Sequence, residues 1–327
     1  GHSFHYLEAL VGGAAWDVHG CHFPKETEAL ARRSDAILFG SVGGPAHERH
    51  SPKWERCETE SILAVRKTFG FHTNLRPTRV YPSLAEGCVL RPDIVEKSID
   101  MLCVRELSGD IYFGEHCTRE VNGQMVATDL MVYDEATIRR VTHAAFQAAM
   151  KRNRKVCSVD KANVLDCSRL WRKVVSEVAK EYPECTLEHI LVDNCAMQVL
   201  TRPFDFDVLL LPNMFGDIIS DEVSIFAGSL GMLPSASLND TGFGLYEPSG
   251  GSAPDIAGTG KANPIGQILS AAMMLKYSFD MNAEHAAVVN AVEEALDEGY
   301  RTIDIAHGKR EICSCSEMGS AIASYIR

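Results

Sequence analysis

The run Phe206-Asp-Val-Leu-Leu-Leu-Pro212, followed at once by Asn213-Met-Phe-Gly-Asp217-Ile-Ile-Ser-Asp221, constrains this chain more than any other stretch. Consecutive apolar residues closed by a proline read as a buried strand. The residues after it read as a helix, with Gly216 allowing a tight strand-to-helix turn. Asp217 and Asp221 then stand four residues apart on one helical face. Two carboxylates at the end of a buried strand suit a hard divalent cation such as Mg²⁺, which takes oxygen ligands and keeps positions open for substrate. An acidic first turn that merely complements the helix dipole is the competing reading, and on this stretch alone it is the commoner case.

The same strand-then-helix alternation recurs along the chain. Strand patterns fall at 35–40, 101–105, 110–114, 155–160 and 189–193, and the opening segment 4–11 is strand-like as well. Helical patterns start at Glu58, at Ile138 with Val141, Ala145 and Ala149 on one face, and at Leu170 with Val174 and Val178. Two more cover 264–278 and 283–298. Asn74-Leu-Arg-Pro77 is extended, because a residue before proline is biased away from helix. Residues 41–45 read as a turn, 46–57 as a surface loop, 115–132 as an arm or hairpin, and 228–255 as a long irregular section. Alternating strands and helices predict an α/β protein with a largely parallel sheet.

Composition excludes several classes. A formal charge of -12 argues against a nucleic-acid surface, which needs a basic stripe. No apolar run reaches the ~18 residues of a membrane span. Eleven scattered cysteines, an odd number, read as reduced intracellular thiols. His19-Gly-Cys-His22 and Cys313-Ser-Cys315 lack the paired spacing of a zinc module and read as surface groups. Cys195 lies two residues past Asp193, where exposure would make the neighbourhood sensitive to oxidation.

Reactive residues cluster where strands end. Arg66, Arg76 and Arg105 are three guanidiniums able to clamp a small polycarboxylate, or singly three solvated surface groups. Tyr112 is a core tyrosine or a proton donor. Lys161 directly follows a strand, exposed or lowered toward base chemistry by burial. Asp193 is a third metal carboxylate or a helix cap.

Asn74-Leu-Arg-Pro77, Val104-Arg-Glu-Leu-Ser-Gly-Asp-Ile-Tyr-Phe-Gly114, Ser158-Val-Asp-Lys-Ala-Asn-Val-Leu165, Val192-Asp-Asn194, Phe215-Gly-Asp-Ile-Ile-Ser-Asp221 and Gly251-Ser-Ala-Pro-Asp-Ile-Ala-Gly258 together resemble the β-decarboxylating dehydrogenases of the isocitrate/isopropylmalate dehydrogenase family. Gly228-Ser-Leu-Gly-Met-Leu-Pro-Ser-Ala-Ser237 and Ala271-Ala-Met-Met-Leu275 point to the branch acting on 3-isopropylmalate in leucine biosynthesis. The resemblance spans nearly the whole chain. It implies a two-domain α/β fold with a large mixed, mostly parallel sheet, distinct from the classical Rossmann fold. The domains it implies are 1–71 plus 228–327 on the cofactor side, and 72–227 for substrate, metal and dimerisation.

It further implies a homodimer with shared active sites. Arg66, Arg76 and Arg105 hold the substrate carboxylates. Asp217 and Asp221, with Asp193 from the partner, hold Mg²⁺ or Mn²⁺, and Asp217 also faces the substrate. Lys161, again from the partner, is the base, and Tyr112 is the acid. Ile62, Leu63 and the partner's Val164 form an apolar pocket that favours an alkylmalate over isocitrate. The cofactor is NAD, met by Gly44, Glu58, Gly251, Ser252, Ala253, Pro254, Asp255, Ile256 and Asn263. Asp255 accepts hydrogen bonds from the ribose and repels a 2′-phosphate.

The competing substrates within the family are tartrate, D-malate and homoisocitrate, and a non-catalytic regulatory subunit is the reading from another class. The family's opening strand, Gly-Asp-Gly-Ile-Gly-Pro loop and first helix have no counterpart here, so a truncated start is expected; the expected location is cytoplasmic, with organellar targeting left open by the missing start.

Overall fold

The computed structural model describes residues 2–308 and 311–327. The chain forms two compact units: Gly1–Gly70 with Pro234–Arg327, and Phe71–Leu233. In chain order the strands are β1 Ile37–Leu38, β2 Thr73–Arg79, β3 Asp100–Glu106, β4 His116–Val121, β5 Gln124–Asp129, β6 Lys155–Asp160, β7 Thr186–Leu191, β8 Val208–Leu211, β9 Pro234–Leu238 and β10 Gly244–Pro248.

The second unit carries β2, β3, β8, β6 and β7 side by side in that order. β2 and β3 run antiparallel, and each later neighbour is parallel to the one before it. This is the mixed, mostly parallel sheet of an α/β protein, as expected. β8 sits centrally with all four residues at 0% exposure, which is why its sequence is apolar without alternation. Elsewhere side chains alternate between faces. Met101, Cys103, Cys157, Val159, Leu209 and Leu211 join Cys195, Val199, Ile219 and Val223 in one core, formed with helices Val192–Thr201 and Asn213–Ser224. Helix Glu135–Met150 buries Ile138, Val141, Ala145, Phe146 and Ala149 at helical spacing, and the Asp134 side chain caps its start. Helix Asp166–Val178 packs beside it and buries Trp171, whose indole N–H donates to Ser158 Oγ at 3.1 Å.

Residues 115–132 form a hairpin, β4 with β5, whose β5 side chains are all exposed. In the first unit, β1 pairs parallel with β10, and β10 antiparallel with β9. Helix Ile265–Tyr277 packs on that pair.

Several expectations need correction. Residues 2–11 form no strand. The strand at 35–40 shrinks to two residues, and Leu38 is 44% exposed on it. Residues 228–255 contain β9 and β10. Their Ser, Gly and Pro content hid them, although Ser235 and Ser237 are buried under helix Ile265–Tyr277. Residues 111–114 are turns, because Asp110 adopts φ 75° and breaks the extended run. Asp193 is the second residue of helix Val192–Thr201 and not a strand end. Helices Gly12–His19, Lys25–Arg32 and Cys315–Tyr325 were not anticipated. The last has a legible signal, a capping box of Ser314 with Glu317.

One buried ion pair ties the strand bottoms together. Asp207, 2% exposed, accepts from Arg152 Nε at 2.7 Å and from the Asn153 amide at 2.9 Å. Its own carbonyl accepts from Leu102 of β3 at 2.9 Å. Asp207→Ala leaves the Asn153 amide and Arg152 Nε without their acceptor, while Arg152 keeps Asp100 at 2.8 Å, so urea titration should show a loss of about 1–3 kcal/mol in unfolding free energy. Asp207→Asn, which keeps an acceptor, should lose less.

Candidate active site

The register of the sheet sets Arg105 on β3 beside Leu211 of β8 and Asn74 of β2. Beyond Leu211 the chain turns at Pro212 into helix Asn213–Ser224. Arg105 is 2% exposed, so its N–H groups must be met by protein. Nε donates to the Asn213 carbonyl at 3.0 Å, Nη2 donates to Asn213 Oδ1 at 2.9 Å, and Nη1 donates to Asp217 Oδ1.

Gly216 does not make the turn. It lies inside the helix, where a Cβ would stand 2.7 Å from Arg105 Cγ and 3.1 Å from Leu211 Cβ. Its service is room for the arginine stem.

Asp217 has two further partners. Arg76 Nη2 lies 3.5 Å from its Oδ1, and Tyr112 donates its hydroxyl to Oδ2 at 3.1 Å. One turn later Asp221 Oδ1 accepts from Arg76 Nη1 at 2.9 Å. Arg76 also donates to Ser220 Oγ at 2.8 Å and, through Nε, to Asn74 Oδ1 at 2.8 Å. The first helical turn holds no acidic residue, so the dipole-matching reading of these aspartates fails. Burial raises the Asp221 carboxyl above its ordinary range, with Arg76 opposing and Asp217 reinforcing the shift. Burial and the Asp217 charge raise the Tyr112 phenol above 10, so it carries its proton at neutral pH.

Lys161 follows β6 and forms a second pair. Its Nζ donates to Asp193 Oδ1 at 2.5 Å, a contact that lowers the Asp193 carboxyl. The fully buried Asp160 anchors the preceding strand end, gripped by two Arg172 donors and accepting from the Ala162 amide at 2.9 Å. Among the described residues no three His, Cys, Asp or Glu side chains of one chain come together around a possible metal ion. The structure therefore groups Asp217 with Asp221 and sets Asp193 with Lys161. Val164, nearby in sequence, is 61% exposed.

The remaining predicted residues belong to the first unit. Ile62 is 9% exposed in an irregular helical turn, Thr59–Leu63, with Leu63 beside it half-buried. Arg66 Nη2 lies 3.3 Å from Glu247 Oε1, and its buried Nε has no hydrogen-bond partner. Gly44 is packed against the Trp54 ring, where a Cβ would come within 2.2 Å. A Cβ on Gly43 would stand 3.6 Å from Glu58 Oε1. Ser252 Oγ donates to the Gly43 carbonyl at 3.1 Å. Gly251 and Ala253 take positive φ, and the short turn Pro254–Ile256 leaves Asp255 exposed. Asn263 Oδ1 accepts from the Ile265 amide at 3.0 Å, and its Nδ2 donates to Asp304 at 3.1 Å.

Two side readings change. His22 is buried rather than superficial, stacked on Trp16 and bonded to Glu60 and the Lys53 carbonyl. Cys195 is fully buried and its thiol is pushed up by burial, which removes the idea of an oxidation-sensitive site. Sequence reading missed Asn213, Ser220, Asp110 and Tyr133. Only Asn213, polar at the mouth of an apolar strand, offered a signal.

A family model described as isocitrate/isopropylmalate dehydrogenase matches residues 1–322. The chain is 54% identical over 317 residues to a 3-isopropylmalate dehydrogenase of Photorhabdus laumondii, covering 97% of this chain and 87% of that protein. It is 54% identical over 327 residues to one from Haemophilus influenzae, covering 100% of this chain and 91% of that protein. Among solved structures, isocitrate dehydrogenase from Methylococcus capsulatus matches with a TM-score of 0.83 at 29% identity, covering 97% of this chain and 89% of that one. The chain belongs to the isocitrate/isopropylmalate dehydrogenase family of oxidoreductases.

The close packing at Gly216 has a measurable sign. Glycine to alanine inside a helix ordinarily gains about 0.5–1 kcal/mol. Gly319→Ala, at a helical position with nothing within 4 Å, should show that gain in thermal unfolding. Gly216→Ala should instead lose about 1–3 kcal/mol and lower kcat/KM, because Arg105 must move.

Proposed function

We propose that this chain is an NAD-dependent 3-isopropylmalate dehydrogenase. It oxidises 3-isopropylmalate at C2 and releases CO₂ to leave 2-oxoisocaproate, a step of leucine biosynthesis. The observation that carries this reading is the setting of Asp217, with Asp221 one turn on, faced by two guanidiniums and the Tyr112 hydroxyl. The two arginines balance the two aspartates in charge. A dianionic substrate arriving with a dication preserves that balance, with guanidiniums turning to carboxylates and aspartates to the metal.

In this reading Arg66, Arg76 and Arg105 bind the two carboxylates of the malate core. Ile62 and Leu63, with Val164 of the partner subunit, contact the isopropyl group. Asp217 and Asp221 fit a hard cation, being carboxylates one turn apart on one face. Among the described residues of one chain no third carboxylate joins them, which supports taking the third from the partner's Asp193 across a homodimer interface. The backbone at 251–256 with Gly44, Glu58 and Asn263 receives the dinucleotide. The exposed Asp255 favours NAD over NADP.

Bound NAD supplies the hydride acceptor, and bound Mg²⁺ or Mn²⁺ supplies Lewis-acid stabilisation of charge at the C2 oxygen. Lys161 of the partner subunit takes the proton of the C2 hydroxyl. Tyr112, which keeps its proton at neutral pH, gives it to C3 after CO₂ has left. Eleven free thiols support a reducing, cytoplasmic setting. No helix among the described residues is long and apolar enough to cross a membrane.

A substrate panel tests the reading. The highest kcat/KM is expected for 3-isopropylmalate with NAD, above D-malate, tartrate, homoisocitrate and isocitrate. Best turnover on D-malate, or no turnover of any member, overturns it. Chelation with EDTA should abolish NADH production, and added Mg²⁺ should restore it. Mixing inactive Lys161→Ala and Asp217→Asn proteins under subunit exchange should recover about a quarter of wild-type activity, since half the dimers then carry one intact site. No recovery would sink the shared site.

A further inference from the structure

Tyr112 sits in a turn, without the ladder bonds that hold Arg105, yet its hydroxyl must meet one carboxylate oxygen. What fixes it lies behind it. Asp110 is 1% exposed and takes φ 75°, a left-handed conformation that few residues besides glycine, asparagine and aspartate adopt. Its Oδ2 accepts from the Met214 amide at 3.0 Å, and its Oδ1 accepts from its own neighbour, the Ile111 amide, at 2.8 Å. Tyr133, coming from the far side of the hairpin, places its hydroxyl 3.3 Å from Asp110 Oδ2, shares that proton with the buried Glu106 carboxylate, and accepts from the Asn213 amide at 2.8 Å. The first two amides of helix Asn213–Ser224 are therefore both bound to this pair.

The pair and the turn that follows it are packed without slack. A Cβ on Gly109 would stand 2.7 Å from the Tyr133 ring, and one on Gly114 would stand 1.7 Å from the Leu130 carbonyl. The Tyr133 ring meets Trp171 edge-on at 5.5 Å. Two segments that carry reacting groups, the turn with Tyr112 and the helix with Asp217, are thus joined at their roots.

We propose that Asp110 and Tyr133 form a buried clamp that positions Tyr112 against Asp217. They are positioning residues and act through Tyr112. The proposal rests on reading Tyr112 as the acid.

A double-mutant cycle separates positioning from mere stability. The assay is NADH formation from 3-isopropylmalate with NAD and Mg²⁺, using full-length protein whose fold is checked by circular dichroism. Tyr112→Phe should lower kcat by about a hundredfold or more, the scale of a positioned proton donor. Tyr133→Phe and Asp110→Asn should each lower kcat by about tenfold or more, with KM for 3-isopropylmalate within about twofold, the scale of a misplaced reacting group. In the Tyr112→Phe background both effects should shrink to less than about twofold, since the group being positioned is gone. Equal losses in both backgrounds overturn the clamp, as does unchanged kcat in folded Tyr133→Phe and Asp110→Asn. If Tyr133→Phe fails to fold, Asp110→Asn, which keeps the shape of the side chain, decides alone. Full activity in Tyr112→Phe defeats the reading of Tyr112 and the clamp with it, and that single variant identifies this case.

Discussion

The buried guanidinium of Arg105 is the constraint on which the site depends. A charge at 2% exposure persists only if every donor is met and an opposite charge stands near. Asn213 meets three of its contacts and Asp217 supplies the charge. That requirement dictates much else: a glycine at 216 to let the stem pass, a polar residue at 213, and a carboxylate at 217 whose second oxygen remains for Tyr112. Removing any one partner leaves a desolvated charge or an open void, so the cluster stands as a unit.

The sheet explains why these groups meet at one edge. β3, β8, β6 and β7 run parallel, so the ends of all four strands lie together. Arg105, Asn213, Lys161 and Asp193 each follow or close one of those strands. Ligands of open α/β sheets gather at such carboxyl ends, where helix starts and loops converge. Strand order then divides the residues. β3 and β8 are neighbours and gather Arg105, Asp217 and Asp221, whereas β6 and β7 pair at the edge and gather Lys161 with Asp193. One chain thus presents two separate groups of charged side chains, one at β3 and β8 and the other at β6 and β7.

Legibility followed burial and periodicity. The helix over Ile138 to Ala149 and the strand β8 were plain because core packing imposes their apolar patterns. β9 was not, since its interior is built from small residues under a helix, and Pro-Ser-Ala-Ser-Leu reads locally as loop. The segment after Asp110 alternates like a strand, yet one positive φ turns it away. The reactive residues were readable as types, through their motifs. Their partnerships were not, because Arg76 meets Asp221 across 145 positions of chain.

The sequence by itself determined the chemical inventory: hard carboxylates, guanidiniums, a phenol and an ammonium, each inside a short legible motif. It also determined the α/β class, since periodicity and turn residues are local properties that burial writes into composition. Only the tertiary structure decided which charge faces which. That rests on strand register and order, and on the room left at Gly216 and Gly109, which are relations between residues far apart in the chain. Pairing energies depend on distances of a few ångströms, and no local pattern encodes them.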